Sequence, residues 1–406
     1  MINYREAQQI IRGRARSFGR ERLDLSQADG RVLAETIRAD RDYPPFHRAT
    51  MDGYAVRQKD LDGGLRHFVI VETIYAGAAA TKPLPAGGCY KIMTGAPVPE
   101  GVDMVIRRED TVEGKEAMDV RTDARGLPAE ASPGAWPAFL NIARRGEDLR
   151  SGDTVIEHAC RCEPAILGLL ATLGKKEVTV ERLPRIALLT TGNEVVPVEA
   201  TVGPAKIRNS NRWLLESSLK KWGIVPAYYT HCPDDAAILK SRLEPVLSHD
   251  ILLLCGGVSA GDADHVPEVL EQLGVQKLFH KIAIKPGKPT WCGVTPGGGL
   301  VFALPGNPFS CLVNFALLIG PYLHACFGLY PPEPIGLPLG TSRKKKTPLD
   351  EFFPVRLQGT PGRLIPIGLN GSGDIRMGLG ASGLALHPSD AGDLAEDAGV
   401  LYYPFG

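Results

Sequence analysis

A chain of 406 residues, 44% hydrophobic and 23% charged, has an ordinary globular composition with room for two to four domains. Lys+Arg and Asp+Glu both number 46, so the formal charge is zero. That balance argues against broad binding to nucleic acid or an anionic membrane, which needs a basic surface, and leaves only a local basic patch open.

The N-terminus reads as a helix capped by Asn3 with Glu6, followed by several arginines, rather than as a secretory apolar core. Arg41-Asp42-Tyr43-Pro44-Pro45-Phe46 forbids helix and reads as a turn or crossing point. Residues 46–139 carry short β-like runs, such as Phe68-Val69-Ile70-Val71 and Asp103-Met104-Val105-Ile106, and predict a small β-domain, which the resemblance described below implies is inserted. The stretch Gly126 to Pro137 has no apolar period and reads as an exposed loop. A helix follows from Pro164 to Leu173, with Pro164 in its first turn and Gly174 as its stop. This segment is a candidate to pack against residues 1–45, which would make one domain discontinuous in sequence; the resemblance described below implies an elongated N-terminal domain of residues 1–45 and 140–176.

From residue 177 to 327 the pattern alternates. The strand Ile186 to Thr190 meets Gly192-Asn193-Glu194, and a helix from Arg212 to Trp222 ends at Gly223. The strand Ile224 to Thr230 meets Asp234-Asp235, which caps a helix toward Leu247. After the strand Ile251 to Leu254, Val266, Val269, Leu270 and Leu273 mark one helical face, closed by Gly274. Such alternation predicts a doubly wound, mainly parallel α/β domain. The apolar stretch Cys311 to Gly328 contains Asn314, Pro321 and His324 and reads as a buried helix, not a membrane span. Beyond it, Tyr330-Pro331-Pro332-Glu333-Pro334 is a linker, and the glycine-rich remainder of 328–406 fits a small barrel or sandwich, of which the resemblance described below implies the C-terminal β-barrel. Arg343-Lys344-Lys345-Lys346 reads as a solvated strand edge that blocks edge pairing. The eight cysteines, at 89, 160, 162, 232, 255, 292, 311 and 326, lack zinc or redox spacing and read as reduced core thiols of a cytoplasmic protein.

Three apolar runs end in glycine- and proline-rich loops: Gly256-Gly257-Val258-Ser259-Ala260-Gly261-Asp262-Ala263-Asp264, Lys285-Pro286-Gly287-Lys288-Pro289 and Leu304-Pro305-Gly306-Asn307-Pro308. Loops at strand ends collect backbone N–H groups and helix starts, which suit an anion. Gly306 and Asn307 tolerate positive φ, and Asn307 is a candidate cap with Pro308 behind it; a plain capped turn is the bland alternative. Alternation through Ile282 and Ile284 places Lys281, Ala283 and Lys285 on one strand face, a clamp for phosphate or a molybdate-like oxyanion. Asp262 and Asp264, with Glu194, are candidate carboxylate ligands for Mg²⁺, Asp264 being equally a candidate cap. No phosphate-binding loop of the Gly-x-x-x-x-Gly-Lys-Ser/Thr kind is present, which argues against that class of ATPase.

Seven segments in order carry a resemblance: Pro44-Pro45-Phe46…Met51-Asp52-Gly53-Tyr54-Ala55, Thr94-Gly95-Ala96-Pro97-Val98-Pro99, Gly146-Glu147-Asp148, Thr190-Thr191-Gly192-Asn193-Glu194, Gly256-Gly257-Val258-Ser259, Lys285-Pro286-Gly287-Lys288-Pro289 and Leu304-Pro305-Gly306-Asn307-Pro308. Together they resemble the molybdopterin molybdenumtransferase family, the MoeA and gephyrin E-domain group. The resemblance implies four domains, a homodimer, and insertion of molybdate at the dithiolene of adenylylated molybdopterin with Mg²⁺-dependent release of AMP. Molybdopterin adenylyltransferase and apo-molybdoenzymes are the candidate protein partners. It also implies site roles. Asp52, Asp148, Glu194, Asp264, Lys281 and Lys285 would be catalytic. Thr94, Gly256, Gly257, Ser259, Asp234, Lys288, Pro305, Gly306, Asn307 and Pro308 would bind the pterin substrate, and Asp264, Glu194 and Asp262 would hold the metal. His47 and Asn193 depart from the family's usual aspartates. They keep open a divergent paralogue, either a tungstate-inserting enzyme or a non-catalytic scaffold. A nucleotide-processing relative sharing the α/β domain is disfavoured by the extra N- and C-terminal portions.

Overall fold

A computed structural model describes residues 1–121, 137–258, 264–360 and 362–405. The chain forms two compact units. Met1–Glu35, Ala159–Ala171 and Lys175–Gly406 make the first; Thr36–His158 with Thr172–Gly174 make the second. The expected exposed loop at 126–137 lies almost wholly outside the described residues.

The first unit centres on a six-stranded sheet. Its strands are β1 (Ile186–Thr191), β2 (Tyr228–Cys232), β3 (Ile251–Cys255), β4 (Gln276–His280), β5 (Trp291–Val294) and β6 (Leu300–Leu304). They lie in the order β2-β1-β3-β6-β5-β4. The first four are parallel, and β5 and β4 close one side antiparallel. Helices α1 (Ser210–Lys220), α2 (Ala236–Leu243) and α3 (Val266–Gln272) make the connections. Asn209 and Asp235 supply the side-chain caps of α1 and α2, bonding Arg212 N–H and Ile238 N–H. Gly223 and Gly274, both at positive φ, follow α1 and α3.

The sheet is covered on both faces, so β3 reads as an unbroken apolar run. Alternate residues go to opposite sides: Ile251 and Leu253 join one core cluster, Leu252 and Leu254 another. All four are fully buried, each stabilising by about 1.5–3 kcal/mol relative to an exposed side chain. The expected buried helix is continuous from Pro308 to Cys326, with a π-helical segment at Phe315–Ile319. By length and composition this stretch could cross a membrane, but 67% of its apolar window is buried inside the protein.

The N-terminal helix Tyr4–Arg12 starts where Asn3 accepts from Glu6 N–H. Its Tyr4 packs edge-on against Phe352 and bonds the Tyr403 hydroxyl. Phe352 belongs to a second sheet of this unit, built from Ile335–Pro338, Asp350–Gln358, Arg363–Pro366, Gly383–His387 and Gly399–Pro404, with Ile284–Lys285 added in parallel at one edge. Here the sequence reading of residues 343–346 needs correction. Arg343 turns inward, 2.7 Å from Glu351 and over the Phe353 ring, and Lys345 donates to the Leu349, His387 and Pro388 carbonyls. Only Lys344 and Lys346 are solvated. Acceptors gathered by the folded sheet, near and far in sequence, override the surface preference of a charge run.

The second unit carries a six-stranded sheet that includes Gly53–Val56, His67–Ile74, Gly88–Ile92 and Met104–Arg107. Tyr54 and Val56 pack on one face, Ala55 on the other. Segments 43–49 and 142–149 run antiparallel, joined at Tyr43–Leu149, Arg48–Ala143 and Ala49–Ile142.

Candidate functional site

Strand register fixes which loops share an end of the first unit's sheet. Cys232 aligns with Thr191, Cys255 with Thr190 and Leu304 with Cys255. Trp291 starts β5 opposite Ala303, and His280 ends β4 opposite Trp291. The loops after β1, β2, β3 and β6 and the β4–β5 link therefore open at the same end. Glu194, Asp234, Gly256, Gly257, Asp264, Lys281, Lys285, Lys288 and the Pro305–Pro308 turn are all in these loops. The chain leaves β1 toward β2 on one side and reaches β3 on the other. The crevice at β1/β3 is thus the switch point where ligands of such sheets bind.

At that crevice backbones meet closely. A Cβ on Gly256 would stand 2.6 Å from Thr191 Oγ1 and 2.8 Å from the Thr191 carbonyl, and Gly256 has φ +101°. Only glycine fits there. Gly306 faces the Gly256 Cα, and Asn211 Nδ2 donates to the Gly306 carbonyl at 2.6 Å. Beneath them the Cys311 thiol donates to the Pro305 carbonyl at 3.0 Å and lies 3.2 Å from the Cys255 sulfur. All eight cysteines are free; burial raises the Cys292 thiol, and the bond to Cys255, then burial, raises the Cys311 thiol.

Two local expectations are corrected. Asn307 occupies the cap position at φ −69° without a side-chain cap bond, and Gly306 is not among the positive-φ glycines. The Asn307 amide instead donates to Ser372 Oγ at 2.8 Å, bringing a C-terminal loop to the Pro305–Pro308 turn. Ser372 carried no signal in the sequence reading. Lys281 has φ +70°, and the strand spans only Ile284–Lys285, so pleat alternation does not align Lys281 with Lys285. Both remain in one link, whose Gly287 carbonyl accepts from Thr290; Thr290 in turn bonds Asn314. Lys285 and Lys288 are exposed and Lys281 is half-buried. His280, at the end of β4, has its pKa lowered by burial, then raised in part by the Val258 carbonyl.

Asn193 and Asp234 bind each other reciprocally: Asn193 N–H donates to Asp234 Oδ2 at 2.9 Å, and Asp234 N–H to Asn193 Oδ1 at 3.2 Å. An amide at 193 spares this pair a second carboxylate. Ser259 and Asp262 lie outside the described residues. Among the described residues no group of three or more His, Cys, Asp or Glu is placed to hold a metal ion.

The second unit holds the remaining site residues. Asp52 Oδ1 accepts from the Thr94 N–H and hydroxyl, both at 2.7 Å. These bonds, the backbone one first, hold the Asp52 carboxyl below its usual range, with help from Arg108. Asp52, Gly53, Tyr54, Lys91, Met93 and Arg108 line a depression beside it. Asp148 is not brought to this pair. Its N–H bonds Tyr43 at one end of the 43–49/142–149 run, whereas Thr50 N–H bonds Asn141 at the other. His47 Nδ1 accepts from Arg145 N–H at 3.2 Å, which gives the imidazole a structural partner.

An α/β protein with a switch-point crevice at the β1/β3 strand ends is the class this geometry defines. Two family models match the chain, the MoeA N-terminal region (domain I and II) over residues 2–174 and a probable molybdopterin binding domain over 187–325. The molybdopterin molybdenumtransferase of Synechocystis is 33% identical over 94% of both chains, and that of Synechococcus elongatus 35% over 83% of both. A solved molybdopterin biosynthesis MoeA protein from Pyrococcus horikoshii superposes with a TM-score of 0.83 at 27% identity, covering all of both chains. The chain belongs to the molybdopterin molybdenumtransferase family and is a multidomain α/β transferase.

Proposed function

We propose that this protein inserts molybdate at the dithiolene sulfurs of adenylylated molybdopterin during molybdenum-cofactor synthesis and releases AMP. The observation that carries the reading is the shared sheet end, where glycine-walled backbone, the Lys281–Lys288 link and the Glu194, Asp234 and Asp264 loops open together. Lysine ammonium groups neutralise the phosphate or molybdate, as charge in a partly dry crevice requires. The crevice carboxylates orient the ligand, together with Asp52 and Asp148 of the partner subunit in the proposed homodimer. Mg²⁺ dependence of AMP release, a homodimer and a cytoplasmic location belong to the same reading. So does a four-domain layout: elongated (1–45 with 140–176), inserted β (46–139), α/β (177–327) and C-terminal barrel (328–406).

The test is AMP release by the purified chain from adenylylated molybdopterin, with and without molybdate, with tungstate in its place, and after chelation. Release only with molybdate supports the reading. Preference for tungstate redirects it to that oxyanion, and no release with either turns the chain into a scaffold. Persistence after chelation removes Mg²⁺.

A further inference from the structure

The C-terminal loop that reaches the Pro305–Pro308 turn runs Leu369-Asn370-Gly371-Ser372-Gly373-Asp374, and Asn370–Gly371 is the one Asn-Gly pair in the sequence. Asp374 organises this turn. Its carboxylate accepts from Asn370 N–H and Arg376 N–H, both at 3.0 Å, and its own N–H donates to the Gly371 carbonyl at 3.3 Å. Two groups are left out of the scheme. Asn370 is exposed, and its side-chain amide has no partner among the described residues; nor has the Gly371 N–H. Gly371 stands at φ +97°, and a Cβ built on it would meet nothing within 4 Å, so no side chain crowds the peptide that joins the two residues. Asn209, followed by Ser210, is treated in the opposite way. It is 6% exposed, its Oδ1 accepts from Arg212 N–H and its Nδ2 donates to Thr190.

We propose that Asn370–Gly371 is a self-modification site, and that its deamidated product unlatches the C-terminal loop from the Pro305–Pro308 turn. The Gly371 nitrogen gives its proton to hydroxide and attacks Asn370 Cγ. A new nitrogen–carbon bond forms, the bond from Cγ to the amide nitrogen breaks, and ammonia leaves with a proton from water. Water then opens the cyclic imide at either carbonyl. One opening gives aspartate; the other gives isoaspartate, whose main chain runs through the side-chain carbon and is longer by a methylene. Water is the only co-reactant, and an amide becomes an acid. Either product places a carboxylate next to Asp374, whose own carboxyl the Arg376 side chain holds well below its usual range. The isoaspartyl form also lengthens the chain two residues before Ser372, which accepts from the Asn307 amide at 2.8 Å. Like-charge repulsion and added length both act against that bond. The chemistry goes beyond the proposed function and needs no ligand.

The experiment ages the full folded chain at pH 7 and pH 9, cleaves it after arginine, and follows the peptide 364–376 by mass spectrometry, with enzymatic methylation to mark isoaspartate. Wild type is expected to lose the Asn370 amide, faster at pH 9 because hydroxide removes the Gly371 proton, while Asn209 keeps its own. Asn370→Gln, whose longer side chain closes such a ring poorly, is expected to stay intact. Unlatching is read without substrate, as the rate of tryptic cutting after Arg376 in the native chain, which follows the population of the open loop. Aged wild type is expected to be cut about tenfold faster than fresh, the ratio one lost hydrogen bond gives. Aged Asn370→Gln should match fresh wild type, and fresh Asn370→Asp should fall between, carrying the charge without the added methylene. An amide kept in the folded chain but lost from the urea-unfolded chain would overturn the inference, because the fold would then be shielding the pair. Equal cutting of fully modified and fresh chains also overturns it. Failure of the fresh wild type to release AMP removes the proposed function alone, since neither readout here uses substrate.

Discussion

The floor of the α/β crevice and the core of the C-terminal sheet both bury polar side chains, yet they treat them differently. Around Arg343, Glu351, Lys345 and His387 the polar groups face one another: Thr347 and Lys346 N–H bond Glu351, and His387 Nε2 lies 2.6 Å from the Gly392 carbonyl. Glu351, nearly fully buried, still has its pKa lowered, because Arg343 and these donors outweigh the desolvation that pushes it up. At the crevice, the buried polar atoms are Thr191 Oγ1 and Asn211 Oδ1. In the C-terminal cluster Glu351 Oε2 keeps only its ion pair with Arg343, and at the crevice the two atoms have neither an ion pair nor a hydrogen bond among the described residues.

Substitutions separate the two regions. The largest effect is expected for Glu351→Ala, which strands Arg343 beside Lys345: about 3–5 kcal/mol of stability lost, read by denaturant titration. A variant as stable as wild type would show that the C-terminal cluster is not a structural keystone. Lys285→Ala should instead spare stability and cut molybdate-dependent AMP release roughly a hundredfold, as loss of an electrostatic donor does. Unchanged turnover would remove that lysine from the site. Gly256→Ala forces a Cβ against the Thr191 carbonyl at positive φ, so a loss of about 1–3 kcal/mol is expected with weaker AMP binding.

The smallest effect is a slope with pH. Burial lowers the pKa values of His249, His280, His324 and His387 below the ordinary 6.5. The unfolded chain then binds protons at a higher pH than the folded one. Stability should be complete above about pH 6.5 and decline as pH falls below it toward the folded-state values. Urea midpoints that stay flat between pH 7 and 5 would contradict this.

Strands with unbroken apolar runs, such as Ile251–Leu254, and caps such as Asp235 were legible in the sequence because the forces that set them are local. The glycine pairs were legible as turns, and the structure adds why: Gly256 has no room for a Cβ against Thr191. Lys281 misled because nothing in an alternating run announces a left-handed residue. Arg343 misled because its partners, Glu351 and His387, are brought to it by two paired strands of the C-terminal sheet. Asn307 looked like a cap and is used instead to hold Ser372. The unpaired state of Thr191 Oγ1 and Asn211 Oδ1 was invisible, since a threonine ending a strand and an asparagine opening a helix are ordinary, and a missing bond is a property of three dimensions.

The first unit's chain departs at Glu35 and resumes at Ala159, and there its two severed ends are stitched together: Leu33 N–H bonds the Cys160 carbonyl at 2.9 Å, and Ala159 N–H returns to Leu33 at 3.0 Å. Everything between is a cassette whose entry and exit are already neighbours. A tight hairpin could splice that seam, and genetic excision or grafting at this one place would ask little of the scaffold on either side.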